Sequence, residues 1–179
     1  GHMDHPVNLN ADIQGMNRYF GWYEKKIQDI KPWVEQLEKD YPYQKLMLTE
    51  YGADANLAHQ TEYLGDALNW GKPFYPETFQ TKTHEYQWSI IKDHPYIIAS
   101  YLWNMFDFAV PMWTRGGVPA RNMKGLITFD RKRKTLISGI KPTGAKSRYS
   151  ISHSVAMPIV KSERQPLPFI PISELRKYT

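Results

Sequence analysis

The chain has 179 residues, a formal net charge of +5, six Trp, twelve Tyr and no Cys. That length allows one domain or one domain with a tail, the missing Cys exclude a disulfide framework and thiolate chemistry, and no run approaches the ~20 apolar residues of a membrane span. Residues 1–134 hold 16 Lys/Arg and 16 Asp/Glu, while 135–179 hold 7 against 2 without helical spacing, so a basic tail carries the whole excess and no nucleic-acid surface is expected.

In chain order, Gly1-His2-Met3 reads as a tag remnant, and residues 1–9 as tag and leader. Asp12–Asn17 reads as a short strand. Residues 24–40 carry Ile27, Ile30, Val34 and Leu37 at three- and four-residue steps, an amphipathic helix that Pro32 should kink or split. Lys45–Thr49 is an apolar run of strand length, expected to be buried on both faces. A long aromatic loop, 55–81, leads to a helix at 85–93 that stops before Pro95. Tyr96–Trp103 reads as a third strand and Gly125–Phe129 as a short fourth. Strand, helix, strand, helix, strand is the order of a parallel βα architecture, and three such units are too few to close a barrel.

Ligands in such folds bind at the carboxyl ends of the strands. Those ends hold Asn17 and Tyr19, then Glu50 and Tyr51, then Trp103, Asn104 and Asp107. Aromatic faces stack on a pyranose while carboxylate and amide groups fix its hydroxyls, so a sugar is the expected ligand. His59, His84, His94 and His153 show no metal-ligand spacing, and neither a metal nor a cofactor is expected.

The segments NRYFGWY (17–23), LTEYGADA (48–55), HEYQWSII (84–91), SYLWNMFDFA (100–109) and RNMKGLITFDRK (121–132) resemble glycoside hydrolase family 2, within it the β-glucuronidase and β-galactosidase branch. The resemblance runs from about residue 10 to residue 134. It implies a retaining β-glycosidase on a (β/α)8 barrel, of which residues 10–134 would form about the last three βα units. It further implies that Glu50 is the nucleophile, that Tyr19 hydrogen-bonds it, that Trp103 lines the sugar site, and that Asn122 and Lys124 grip a sugar carboxylate. That last pair favours a glucuronide over a galactoside.

A retaining mechanism needs a second carboxylate as acid/base. The family supplies it from an Asn-Glu pair, and no Asn-Glu dipeptide occurs in the sequence. Asp54 and Asp107 lie near the rim without any family precedent for the role. Glycosidase turnover by these residues alone is therefore not expected, since general acid help contributes ~10²–10⁴-fold.

The tail, 135–179, departs from the family pattern. Shifting the reading frame at the Lys134 codon permits a sequence like the family's next helix and strand, so the tail is expected to be an out-of-frame translation. Three parallel strands with bare edges favour pairing with further copies, so a homodimer or higher oligomer is expected, with the Pro-rich LPFIPI of the tail covering an edge. With no signal peptide at its start, the chain is expected to be cytoplasmic. Two other readings stand beside the glycosidase: a hydrolase of activated esters or phosphoesters, metal-assisted or not, and a foldable segment without activity.

Overall fold

The computed structural model describes residues 5–62, 65–68, 70–139 and 157–160. They form an α/β unit on a sheet of order β1-β2-β3-β6. The strands are β1 (Ile13–Asn17), β2 (Lys45–Tyr51) and β3 (Ile97–Leu102), all parallel, with β6 (Met157–Val160) antiparallel on the outer edge of β3. A short helix α1 (Pro6–Leu9) precedes β1, α2 (Ile30–Asp40) joins β1 to β2, and α3 (Glu77–Ile91) joins β2 to β3. After β3 come a two-stranded ribbon, β4 (Phe108–Ala109) with β5 (Arg121–Asn122), and a short helix α4 (Thr135–Gly139). No described helix is long and apolar enough to cross a membrane.

The core lies between one face of this sheet and the two long helices. Leu46, Leu48, Ile97 and Leu102 pack there against Ile30 and Val34 of α2 and Ile91 of α3. Each such aliphatic side chain contributes about 1.5–3 kcal/mol through burial. β2 is thus not buried on both faces as expected. Leu46 and Leu48 are fully buried while the alternate residues Lys45, Met47 and Thr49 are only half-buried. The alternation follows from having helices on one side only.

Three element boundaries also differ from expectation. Pro32 neither kinks nor splits α2, because the helix starts at Ile30, after a 3₁₀ turn (Ile27–Asp29), and Pro32 falls in its first turn. An amide there has no intrahelical acceptor to lose. Helix α3 starts at Glu77, eight residues before the expected position, which shortens the aromatic loop. Residues 125–129 do not form a strand of the main sheet. They run beside residues 104–107, with Leu126 and Ile127 amides donating to Asn104 and Met105 carbonyls at 3.1 and 3.0 Å. The LPFIPI segment lies outside the described residues. The outer edge of β3 pairs with Met157–Val160.

Candidate functional site

The parallel register continues past the strands. The Arg18 amide donates to the Glu50 carbonyl and the Trp103 amide to the Tyr51 carbonyl, each at 2.9 Å. These bonds bring the carboxyl ends of β1, β2 and β3 side by side. Asn17 stands opposite Glu50 in register, and its Oδ1 accepts the Thr49 hydroxyl at 2.6 Å.

At this end the Tyr19 hydroxyl donates to Glu50 Oε2 at 2.7 Å. Burial, and then the carboxylate it faces, push the Tyr19 phenol well above its ordinary range, so it stays a donor. The loop carrying Tyr19 is itself held. Glu24 Oε1 accepts the Tyr19 amide at 2.9 Å, and Glu24 Oε2 pairs with Arg18 at 2.8 Å. The Arg18 guanidinium lies 4.7 Å from the Trp33 ring centroid and 4.9 Å from that of Phe20. Glu50 therefore has a fixed donor on one oxygen, and its side chain is half-buried.

Two ion pairs are buried in the loops that follow the strands, and the lysine of the first lies 5.6 Å from the Tyr19 ring centroid. Lys124, with a side chain 1 % exposed, donates to Asp54 Oδ2 at 2.7 Å and to the Tyr23 hydroxyl at 2.6 Å. Asp54 Oδ1 accepts the Met123 amide at 2.7 Å. Lys134 donates to Asp107 Oδ1 at 2.9 Å and to the Met123 carbonyl at 2.6 Å, and the Gly125 amide also reaches Asp107 Oδ1. Burial raises the Asp107 carboxyl to about 6 despite its lysine, and pushes Lys134 below the usual ammonium range. Neither aspartate is placed to serve as a second active carboxylate, because each is occupied by a lysine.

The other sequence-derived residues fall in different places. Trp103 packs edge-on to Phe108 at 6.0 Å and stays half-exposed beside the Tyr19 cluster. Tyr51 belongs to the core, packed 5.9 Å from His84, and offers no rim surface. Asn104 is buried, its amide bonded to the Lys124 carbonyl at 3.2 Å. Asn122 is buried as well, and its Oδ1 accepts the Lys124 amide at 3.0 Å, shaping the loop that aims the lysine. Asn122 and Lys124 are thus committed to the protein itself.

Sequence reasoning missed Tyr23, the hydroxyl on Lys124, and weighed His84 only as a metal ligand. The latter is 3 % exposed, and burial lowers its imidazole to about 3. Its ring sits against Gly52, where an added Cβ would come within 2.9 Å of both His84 Cε1 and the Trp103 carbonyl. Gly52 has φ +142°, a conformation in which a side chain is strained. The cue for both was position: His84 heads one of the recognisable segments, and Tyr23 ends another. Among the described residues no three His, Asp or Glu side chains converge as a metal-binding group.

Comparison with known proteins adds the following. No family model matches the chain. A β-glucuronidase of Bacteroides fragilis is 36 % identical over 131 residues, covering 72 % of this chain and 18 % of that protein. The crystal structure of a Bacteroides fragilis protein provisionally assigned as a β-galactosidase superimposes with a TM-score of 0.70 and 99 % identity, covering 74 % of this chain and 20 % of that one. The FMN-binding β-glucuronidase of Faecalibacterium prausnitzii L2-6 gives a TM-score of 0.65 at 34 % identity, over 75 % of this chain and 20 % of its own. The chain thus spans about a fifth of the length of the relatives it matches.

Proposed function

We propose, from the homology to proteins named β-glucuronidase and β-galactosidase that covers nearly three-quarters of the chain, that the site around Glu50 is the nucleophile half of a retaining β-glycosidase. On this reading residues 10–134 correspond to the last three βα units of a (β/α)8 barrel, and 135–179 form a tail outside that pattern. The observation that carries it is the Tyr19 hydroxyl on Glu50 Oε2 at 2.7 Å, at the carboxyl ends of parallel strands.

In the proposed step Glu50 attacks the anomeric carbon, a glycosyl–carboxylate bond forms, and the bond to the leaving oxygen breaks. Tyr19 holds one carboxylate oxygen so that the other faces the sugar, and Trp103 offers a partly open ring for stacking. The proton for the leaving oxygen must come from a group outside the described residues, since Asp54 and Asp107 are each bound to a lysine. A homo-oligomer is the arrangement we propose for covering the outer edge of β1, which pairs with no described strand.

The test uses a leaving group that needs no acid. Dinitrophenyl 2-deoxy-2-fluoro-β-glucuronide and its galactoside counterpart are incubated with the protein, and intact mass and peptide mapping read the product. One fluoroglycosyl adduct on Glu50, absent in Glu50→Gln, is expected, and the sugar that reacts identifies the class. No adduct from either sugar sinks the proposal.

A further inference from the structure

Beside the Glu50 site, Trp70, Gly71, Met112, Trp113, Thr114 and Arg115 line an open cavity of about 250 Å³. Arg115 is its distinctive member. Its guanidinium carbon lies 3.5 Å from the Trp113 ring centroid and 4.6 Å from that of Trp70, with Tyr23 at 5.9 Å. Stacking fixes the orientation of the planar fork, which suits it to oxyanions. No acidic side chain pairs with Arg115 among the described residues, and its Nε is buried without an acceptor. The two buried lysines nearby each have their own aspartate.

Apart from Thr114, the other side chains of the lining are apolar, and the cavity is open to solvent. Trp70 is 41 % exposed and Met112 93 % exposed, so flat apolar surface borders the cation. An aromatic face and a thioether beside an unpaired guanidinium fit a ring that carries a negative charge. Two side chains, Tyr19 and Tyr23, link the cavity to the proposed nucleophile. The Tyr23 ring is 5.0 Å from Tyr19, which holds Glu50, and 5.5 Å from Trp70. Lys124, bonded to the Tyr23 hydroxyl, lies 5.6 Å from the Trp113 ring.

We propose that this cavity receives the group attached to the anomeric oxygen of the sugar at Glu50, and that it selects an anionic ring. The proposal rests on the glycosidase reading above for what occupies Glu50. The shared chemistry is a carboxylated or sulfonated six-membered ring, from an aromatic aglycone or from a second, acidic sugar.

Binding is measured by calorimetry on the intact protein with three probes: naphthalene-2-sulfonate, the neutral naphthalene-2-methanol, and a glucuronic-acid disaccharide. The sulfonate is expected to bind at least about tenfold tighter than the alcohol, the scale of one charge-assisted hydrogen bond. Arg115→Gln should erase that difference while leaving the alcohol unchanged. Arg115→Lys should restore only part of it, since the fork is lost but not the charge. Disaccharide binding that also depends on Arg115 assigns an acidic sugar. Dependence confined to the sulfonate assigns an aromatic aglycone. Equal affinity for sulfonate and alcohol, or unchanged affinity in Arg115→Gln with native circular dichroism, overturns the proposal. Labelling of Glu50 without any Arg115 dependence would remove this subsite alone. Arg115-dependent binding without labelling would sink the glycosidase reading, and the subsite assignment with it.

Discussion

Replacing Lys124 by Met separates a structural lysine from one held ready for a ligand. The ammonium is 1 % exposed and has two short partners, Asp54 Oδ2 at 2.7 Å and the Tyr23 hydroxyl at 2.6 Å. Methionine keeps most of the side-chain volume, so the main loss is electrostatic. It leaves the Asp54 carboxylate, itself 1 % exposed, with the Met123 amide as its remaining donor. Removing one partner of such a buried pair costs about 3–5 kcal/mol. For a chain of this length each kcal/mol lowers the Tm by about 2–4 °C, so a fall of roughly 6–20 °C is expected. Urea unfolding of Lys124→Met, Asp54→Asn and the double variant measures the pair as a cycle. The double variant should recover to within about 1–2 kcal/mol of the parent, because no unpaired charge is left buried and the carboxamide oxygen introduced by Asp54→Asn can still accept the Met123 amide. A single-variant loss below about 1 kcal/mol, or a double variant no more stable than Lys124→Met, would refute the reasoning.

Two further measurements follow from buried groups elsewhere. Burial holds His84 near 3 and Asp107 near 6, against about 6.5 and 3.9 in the unfolded chain. Between pH 4 and 6 the unfolded state gains a proton on His84, which favours stability as pH rises, while the folded state keeps one on Asp107, which disfavours it. The two slopes, each about 1.4 kcal/mol per pH unit, oppose one another in the parent. Acid titration of stability in Asp107→Asn should therefore fall by about that slope from pH 6 to 4, and in His84→Gln it should rise. Parallel profiles in both variants would contradict this account. Gly52→Ala should lose about 1–3 kcal/mol through its φ of +142°, with further loss from the 2.9 Å approach to the Trp103 carbonyl. Thermal melts within 1 °C of the parent would be incompatible with that geometry.

The sheet was readable because β2 and β3 are apolar runs bounded by Gly and Pro, and because consecutive parallel strands require crossover helices. The first half of α3 was not readable. Its buried positions are Glu77, Gln80, Thr83 and His84, with Phe79 the one apolar residue among them, so the 3.6-residue hydrophobic period that marks a helix is missing. At the site, Tyr19 and Glu50 stood out by their places in NRY and TEYG. Tyr51 was misjudged for a local reason: the register of β2 slips between Leu48 and Tyr51, and the tyrosine turns into the core. Lys124 was read from its neighbour Asn122, yet its partners Asp54 and Tyr23 lie 70 and 101 residues away along the chain. No local pattern reports a pairing of that range. Arg115 was not singled out at all, since Trp70, one of the two rings it stacks on, meets it only in three dimensions.

The polar face of α3 also explains what holds the site loops in place. Gln87 Nε2 donates to the Phe20 carbonyl at 3.1 Å, after β1. Gln80 Nε2 donates to the Ala53 carbonyl at 2.8 Å, after β2, and reaches the Gly125 carbonyl at 3.4 Å, in the segment beyond β3. Glu77 accepts the side-chain amide of Gln60 at 3.0 Å and the amide of Thr135. One helix thus ties down the chain following each parallel strand, using buried amides whose bonds a low dielectric strengthens. An apolar α3 would bury its face equally well against the sheet but would leave those carbonyls without donors, at about 1–3 kcal/mol each. The Gln87 bond to the Phe20 carbonyl thus adds to the Glu24 and Arg18 contacts that hold the loop carrying Tyr19.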